Sequence, residues 1–238
     1  MDIKEQDILG DAIDRHWYYR AKAAALRKML GPAPVSHVLD VGAGSGFFSR
    51  KLLARGAAQA TCVDPEYAAE HEEIHAGRPI KFVRTTAAGD FDLVLMMDVL
   101  EHVDDDVGLV REYAALVPPG ARFLITVPAF QWMWSGHDVF LEHRRRYTLP
   151  QMQGVLDRAG LKILHGCYYY GLTFPLAAAQ RFAGRVLGAS QTGAKSQLQL
   201  HNPLINETLA AICLAEVPFF RANRVAGLTV FVLAQQPL

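Results

Sequence analysis

Hydrophobic and polar positions along the chain alternate between short apolar runs and longer segments with helical spacing. Seven short runs rich in β-branched and aliphatic residues predict strands, and apolar residues three and four positions apart predict helices between them. The predicted strands cover residues 38–41, 59–63, 80–84, 93–97, 122–127, 161–169 and 228–234. Strands that alternate with helices are typical of βαβ units, so the pattern predicts an α/β fold with a parallel sheet.

Two helical regions lie outside this alternation. Residues 1–35 predict an N-terminal helical cap that ends near Gly31 and Pro32, since these residues stop a helix. Residues 171–225, before the last predicted strand, are rich in Ala and Leu at helical spacing and predict a helical lid. No linker or internal repeat divides the 238 residues, of which 51% are hydrophobic, so we expect a single domain over residues 1–238.

Charge and cysteine content narrow the class of protein. The 24 basic and 24 acidic residues give no net charge, so general binding to nucleic acids has no support. Cys62, Cys167 and Cys213 are far apart and lie in apolar patterns, which is typical of reduced core residues. An acidic N-terminus without an apolar run predicts a cytoplasmic protein.

One stretch without acidic or basic residues, 163–180, approaches the length that spans a membrane. Gly171 and Pro175 interrupt it, so we expect a strand followed by the start of a helix. Aromatic and aliphatic residues exposed at such a helix start would favour a peripheral contact with a membrane, and this alternative stays open.

Gly42, Gly44 and Gly46 directly follow the first predicted strand. Glycine lets backbone N–H groups approach a ligand, and the helix that begins at Phe47 adds positive potential, so this loop predicts a nucleotide-cofactor site. Asp64 ends the second predicted strand, where a carboxylate binds two ribose hydroxyls. The dinucleotide fingerprint places its third glycine three residues after the second, but Gly46 follows Gly44 by two, which makes NAD the alternative cofactor.

With Asp40 ahead of these glycines and Asp64 behind them, the segment VLDVGAGSG resembles motif I of class I S-adenosylmethionine (SAM)-dependent methyltransferases. The resemblance implies a Rossmann-like, seven-stranded, mostly parallel sheet with helices on both faces and an antiparallel last strand. It also implies that SAM is the cofactor. The residues expected around SAM are Tyr18, Arg20, Asp40, Gly42, Ala43, Gly44, Gly46, Asp64, Pro65, Thr85, Met96 and Met97.

Tyr18 and Arg20 belong to the aromatic string HWYYRA ahead of the first predicted strand. Aromatic rings cover cofactors and a guanidinium binds a carboxylate, whereas the alternative is a packed amphipathic helix. The string resembles a segment that precedes motif I in a bacterial subgroup of these methyltransferases, which favours the SAM role. Thr85 stands near a position where an acidic residue commonly meets the adenine in this family.

Asp98, Glu101 and His102 follow the strand at 93–97 with a spacing that one helical turn places on a single face. In one interpretation His102 is a general base, since its ordinary pKa suits neutral pH. In a second, the two carboxylates and the imidazole bind a divalent metal. In a third, the acids complement a helix dipole and His102 is hydrogen-bonded in the core.

The D-x-x-E-H pattern is similar to ubiquinone-pathway O-methyltransferases and to small-RNA 3′-terminal 2′-O-methyltransferases, families that use such residues for a metal. In the RNA group a further His lies in a D-H-x-x-x-W-T context, and EHRRRYT puts His143 in the matching place. The resemblance implies a divalent metal at Asp98, Glu101, His102 and His143, although Asp98 replaces the usual Glu and has a shorter reach. His102 and His143 are the candidate catalytic residues.

The long connection PAFQWMWSGHDVFLEHRRRYT follows the strand at 122–127. Long connections usually carry function: its aromatic residues would line a substrate pocket and its arginines would bind a phosphate, the alternative being solvated charge with an internal Arg–carboxylate pair. We therefore expect O-methylation of a small or amphiphilic acceptor, lipid-linked or phosphorylated. The alternatives are an NAD-binding oxidoreductase and a SAM-binding regulator without turnover.

Overall fold

The structure is a computed structural model that describes residues 9–186 and 202–238. Its strands are β1 His37–Val41, β2 Gln59–Val63, β3 His71–His75, β4 Arg78–Val83, β5 Leu93–Met97, β6 Arg122–Pro128, β7 Lys162–Tyr169 and β8 Thr229–Gln235. Its α-helices are α1 Trp17–Leu30, α2 Phe47–Leu53, α3 Asp106–Ala114, α4 Gly136–Phe140, α5 Leu149–Arg158, α6 Phe174–Val186 and α7 Pro203–Glu216. Short 3-10 helices cover Gly10–Arg15, Leu100–His102, Gln131–Met133 and Phe220–Ala222.

The strands form one sheet in the order β3-β4-β2-β1-β5-β6-β8-β7. The expected count of seven is one short, since the described sheet has eight strands. The additional strand is β3, an edge strand that pairs antiparallel with β4. Its sequence HEEIH is mostly polar and largely exposed, so it lacks the apolar pattern that reveals a buried strand.

Parallel pairing dominates the centre of the sheet. β1 pairs in parallel with β2 and β5, β2 with β4, and β5 with β6. β8 runs antiparallel to both β6 and β7, which confirms the antiparallel last strand. The α/β, Rossmann-like, mostly parallel fold is confirmed, and the carboxyl ends of its parallel strands meet at one edge, where such sheets bind ligands.

Helices cover both faces of this sheet. Leu93, Leu95 and Met97 of β5 belong to a core cluster that includes residues of α1 and α2. Val94 and Met96 belong to a second cluster with residues of α3 and α5. Because successive side chains of a strand point to opposite faces, an apolar run without alternation is what a strand buried on both faces requires.

The two predicted helical regions contain α1 on one side and α6 and α7 on the other. Residues 1–8 of the predicted cap and 187–201 of the predicted lid lie outside the described residues. The Tyr169 hydroxyl links the two regions, since it donates to the carbonyls of Ala21 in α1 at 3.3 Å and Cys213 in α7 at 2.9 Å. None of the described helices combines the length and hydropathy needed to cross a bilayer.

Candidate functional site

The glycine loop, residues 42–46, joins β1 to α2 at the carboxyl edge of the sheet. Gly42, Gly44 and Gly46 have φ angles of 61°, 52° and 68°, a left-handed conformation that glycine adopts without strain. A Cβ atom at Gly42 would lie 2.9 Å from Cγ2 of Val99, and one at Gly46 would lie 3.0 Å from Cε1 of Phe82. The loop therefore requires glycine at both positions, and it packs directly against the segment that follows β5.

Two buried carboxylates flank the glycine loop. Asp40 of β1 accepts a hydrogen bond from the Ser49 hydroxyl at 2.7 Å, and burial raises the pKa of Asp40 to about 6. Asp64, at the end of β2, accepts hydrogen bonds from the backbone N–H groups of Gly44 at 3.2 Å and Glu66 at 3.0 Å. Asp40 is thus tied to the helix behind the loop, whereas Asp64 is tied to the loop itself.

The other predicted cofactor residues lie at the ends of neighbouring strands. Met96 and Met97 end β5 and are fully buried, and Thr85 lies on the exposed segment after β4. Tyr67, which the sequence patterns did not indicate, donates its hydroxyl to the Gly44 carbonyl at 2.7 Å. Tyr67 thus binds the carbonyl of Gly44, while Asp64 binds the amide of the same residue.

The first helix carries two cations, Arg20 and Lys22, that have different carboxylate partners. The guanidinium of Arg20 is hydrogen-bonded to the Glu207 carboxylate of α7 at 2.6 Å, near the surface. Lys22 is fully buried and donates to the carboxylate of Asp98 and, at 3.1 Å, to the hydroxyl of Tyr18. Sequence analysis missed Lys22, although a lone cation on the apolar face of an Ala-rich helix was a usable signal.

Asp98 adopts a strained conformation where β5 ends. Its φ angle is 58°, which is unfavourable for a residue with a Cβ atom. Its carboxylate accepts hydrogen bonds from the Thr126 hydroxyl at 2.9 Å and from Lys22. Burial alone would raise the pKa of Asp98, but the charge of Lys22, together with the hydrogen bonds from Lys22 and Thr126, outweighs burial and holds the pKa below its ordinary value. Asp98 is therefore an ionised residue with its own cation.

Glu101, His102 and His143 come together, as the sequence predicted for three of its four metal ligands. One ligand atom of each residue lies within 4.8 Å of the other two, and the rings of His102 and His143 meet edge to face with centroids 4.8 Å apart. Neither carboxyl oxygen of the fully buried Glu101 has a hydrogen-bond partner among the described residues. Burial, followed by the charge of Asp98, raises the pKa of Glu101 well above its ordinary value.

A further buried carboxylate, that of Asp138, contacts this group through His143. Oδ1 of Asp138 lies 2.9 Å from Nδ1 of His143, within hydrogen-bond distance, and the carboxylate accepts two hydrogen bonds from Arg146, at 2.6 and 3.0 Å. Burial alone would raise the pKa of Asp138, but these donors outweigh it and hold the pKa well below its usual range. The sequence placed Asp138 in a functional connection without assigning it a role.

The arginines of the predicted phosphate-binding string have internal partners. Nε of Arg144 donates to the His102 carbonyl at 2.7 Å, and Nη2 of Arg145 donates to the Val103 carbonyl at 2.9 Å. These two bonds attach the connection after β6 to the segment after β5, whereas the Arg146–Asp138 pair lies within the connection itself. The geometry favours the internal-pairing interpretation of this string.

Side chains from the segments after β5 and β6 line a cavity of about 300 Å³, which we call the histidine cavity. Glu101, His102 and His143 line part of it, while Leu176 of α6 and Leu209 of α7 line another part. Leu176 is also 65% exposed, so an apolar side chain stands both at the cavity and at the protein surface. The cavity therefore offers polar chemistry and an apolar wall to one ligand.

Comparison with known proteins places this architecture in a family. Residues 15–166 match the family model described as a methyltransferase domain. A ubiquinone biosynthesis O-methyltransferase of Pseudomonas paraeruginosa is 34% identical over 174 residues, which cover 63% of this chain and 73% of that protein. One from Methylocella silvestris is 38% identical over 125 residues, 47% of each chain. This chain thus spans less than half the length of several relatives that it matches.

Among solved structures, the complex between the Haloferax volcanii Trm112 methyltransferase activator and its partner chain gives a TM-score of 0.58 at 18% identity. The alignment covers 99% of this chain and 93% of that one, and at this identity it supports the fold alone. The family model covers more than half of the present sequence. The chain therefore belongs to the class I SAM-dependent methyltransferases.

Proposed function

We propose that the protein transfers a methyl group from SAM to an oxygen atom of a small or amphiphilic acceptor that binds in the histidine cavity. The observation that carries this proposal is the convergence of Glu101, His102 and His143 in one cavity. The segment that follows β5 in the chain forms part of the wall of this cavity. The same segment packs against the glycine loop through Val99, so the cofactor residues and the cavity are direct neighbours.

The glycine loop fits SAM. Its left-handed glycines leave no Cβ atom between the backbone and a ligand, and the ionisable Asp64 sits against the loop with acceptor capacity to spare. When bound, SAM supplies an electrophilic methyl group. The residues proposed to hold it are Asp40, Gly42, Ala43, Gly44, Gly46, Asp64, Pro65, Thr85, Met96, Met97 and Tyr18, with Arg20 reaching it only if its pair with Glu207 opens. Family membership favours SAM over the alternative, NAD.

The chain's own contribution would be alignment and proton removal. Apolar walls that exclude water hold an acceptor oxygen in line with the methyl carbon, and this positioning accounts for much of the rate of such a transfer. For an acceptor hydroxyl with a pKa near that of a phenol, about 10, either His102 or His143 is placed to take the proton.

The trio of Glu101, His102 and His143 also fits a divalent metal. Two buried carboxyl oxygens without hydrogen bonds are costly alone, and a cation would satisfy them. Two imidazoles and one carboxylate form a ligand set that first-row divalent metals accept. When bound, such a cation would lower the pKa of an acceptor hydroxyl. Asp98 was the fourth expected ligand, but its carboxylate forms a salt bridge with Lys22. We therefore propose only Glu101, His102 and His143 as metal ligands.

Exposed apolar residues on α6 and α7, the two helices that contribute to the cavity wall, favour an amphiphilic acceptor. Leu176 and Phe182 of α6 are 65% and 70% exposed, and Leu204 of α7 is 76% exposed. An acceptor with a lipid tail would cover this surface while its head enters the cavity, and a peripheral contact with a membrane would deliver it. The relatives are named as O-methyltransferases of ubiquinone biosynthesis, which supports an oxygen as the methyl-accepting atom.

Release of S-adenosylhomocysteine tests the proposed reaction. We expect release with a catechol that carries a long alkyl chain, and slower release with unsubstituted catechol. Binding of SAM without release from any hydroxylated acceptor would contradict the proposal and favour the regulator without turnover. Binding of NADH in place of SAM would contradict it at the cofactor.

Metal removal tests the proposed metal site. We expect protein dialysed against a chelator to lose turnover and to regain it with Co²⁺, and we expect His102→Gln to abolish Co²⁺ binding. His75→Gln, on edge strand β3, is the matched control and should bind Co²⁺ normally. Full turnover of metal-free protein would leave His102 and His143 as bases only, and near-normal turnover of His102→Gln would remove His102 from both roles.

A further inference from the structure

We propose that Asp138 is the positioning residue of this site: it fixes His143 in the tautomer that carries its proton on Nδ1 and leaves Nε2 free in the histidine cavity. The consequence for metal or proton binding rests on the proposed function. The tautomer itself does not rest on it, and so the two can be tested apart.

Five donors surround the Asp138 carboxylate, which is fully buried. Oδ2 accepts from the backbone N–H and hydroxyl of Ser135, at 2.8 and 3.0 Å, and from Nη2 of Arg146 at 3.0 Å. Oδ1 accepts from Nε of Arg146 at 2.6 Å and lies 2.9 Å from Nδ1 of His143. An ionised carboxylate only accepts hydrogen bonds, so the proton in the last contact belongs to His143.

Arg146 makes this carboxylate rigid and compensates its charge. Its guanidinium binds both oxygens of Asp138 and also donates to the Ala129 carbonyl, just after β6, at 3.1 Å. The pair carries no net charge and is attached to the sheet, which suits an orienting role. The backbone N–H of His143 donates to the Asp138 carbonyl at 2.9 Å, so Asp138 holds both the main chain and the ring of His143.

The remaining nitrogen of His143 is the one that can act in the cavity. With Nδ1 bound to Asp138, Nε2 is the atom left for the cluster with Glu101 and His102. In the opposite tautomer Nε2 carries the proton, and it then neither binds a cation nor accepts a proton. Carboxylates that hydrogen-bond the second nitrogen of a ligating histidine typically raise metal affinity 10- to 100-fold, which is the effect expected here.

The tautomer is measured directly by long-range ¹H–¹⁵N NMR of the metal-free full-length chain at pH 8.5, where an ordinary histidine is neutral. His143→Gln assigns the signals. We expect the Nδ1–H tautomer for His143 in the wild type and its loss in Asp138→Ala. A wild-type His143 in the Nε2–H tautomer would overturn the proposal whatever the variants do.

Co²⁺ titration measures the consequence. We expect Asp138→Ala to bind Co²⁺ 10- to 100-fold more weakly, and the double variant Asp138→Ala/Arg146→Met to do the same without a stranded guanidinium. Ser135→Ala is the matched control: it loses a helix cap and one bond to Asp138 but keeps the contact with His143, so its affinity should stay within about twofold.

The outcomes separate this inference from the proposed function. An equal loss of affinity in Ser135→Ala, or full affinity in both Asp138 variants, would overturn the positioning role. If the wild type shows the Nδ1–H tautomer but does not bind Co²⁺, the proposed metal site fails, and the positioning of His143 as a base is supported.

Discussion

The glycine loop and the histidine cavity lie side by side at one edge of the sheet, but they are built differently. The glycine loop is a contiguous segment whose shape depends on backbone conformation and on two contacts to Gly44, from Asp64 and Tyr67. The histidine cavity is assembled from α1, the end of β5, the connection after β6, and helices α6 and α7. The first is one continuous segment held by contacts to its neighbours, whereas the second brings together segments that are far apart in the sequence.

The buried acids of the two regions also differ in their partners. Asp40, beside the glycine loop, is hydrogen-bonded to Ser49 and has no cation paired with it among the described residues, and burial raises its pKa to about 6. Around the histidine cavity, Lys22 is paired with Asp98 and Arg146 with Asp138. Glu101 alone among these acids has no hydrogen-bond partner in the described part of the chain. This contrast identifies Glu101 as the group that a bound ligand would satisfy.

The largest effect should come from breaking the Lys22–Asp98 pair. Asp98→Asn leaves the fully buried Lys22 ammonium without its counter-charge, and removal of one partner of a buried pair costs about 3–5 kcal/mol. Urea unfolding of the metal-free protein measures this loss. The double variant Asp98→Asn/Lys22→Met should recover most of the stability. Equal stability of wild type and Asp98→Asn would show that the pair does not hold α1 to β5.

The glycine loop is tested next through Asp64. Hydrogen bonds to a charged group are worth about 1.5–3 kcal/mol, so Asp64→Ala should weaken SAM binding by about 10- to 100-fold in calorimetric titration. Glu66→Ala, an exposed acid two residues away, is the control and should bind SAM normally. If both variants bind SAM like the wild type, the ligand does not lie against β2.

The unsatisfied Glu101 predicts an effect of pH on the stability of the folded protein. Its pKa is raised in the folded state above an ordinary value near 4.5, so the folded protein loses stability relative to the unfolded chain as pH rises above that value. Glu101→Gln abolishes this loss, which amounts to about 1.4 kcal/mol for each unit by which the pKa is raised.

Urea unfolding of both metal-free proteins between pH 5 and pH 7.5 measures the difference. We expect the stability of Glu101→Gln relative to wild type to increase with pH across this range. A difference that is constant, or that changes in the opposite direction, would show that the Glu101 carboxyl is not held in its neutral form by the fold.

The smallest effect is expected at Arg20. The Arg20–Glu207 pair is exposed, and such pairs contribute below about 1 kcal/mol. Arg20→Gln should therefore change stability little, and SAM affinity should stay near the wild-type value because Glu207 holds the Arg20 guanidinium near the surface. A tenfold loss of SAM affinity would return Arg20 to the role that the aromatic string suggested.

Local patterns explain how much of this molecule the sequence could predict. The glycine loop, Asp40, Asp64 and the strand ends follow one another along the chain, so spacing alone located them. The polar edge strand β3 has no apolar pattern and was missed. Lys22 and Asp138 acquire their roles through contacts with residues 76 and 5 positions away in the chain, and only the fold defines such partners.

The proposed metal ligands fall between these cases. Glu101 and His102 are adjacent in sequence, and a family resemblance was needed to add His143 to them. Asp98 fitted the same pattern by type and spacing, but the fold supplies a buried lysine that binds it. Spacing therefore predicts which residues share a face, whereas competing partners decide which of them stay available to a ligand.

A crystal structure of the protein with S-adenosylhomocysteine tests the central claim most directly. The account predicts that the ribose hydroxyls lie against the Asp64 carboxylate, that the glycine loop encloses the amino-acid end, and that the sulfur faces the histidine cavity. A product molecule bound elsewhere, or a glycine loop that stays closed by its own side chains at saturating product, would contradict it.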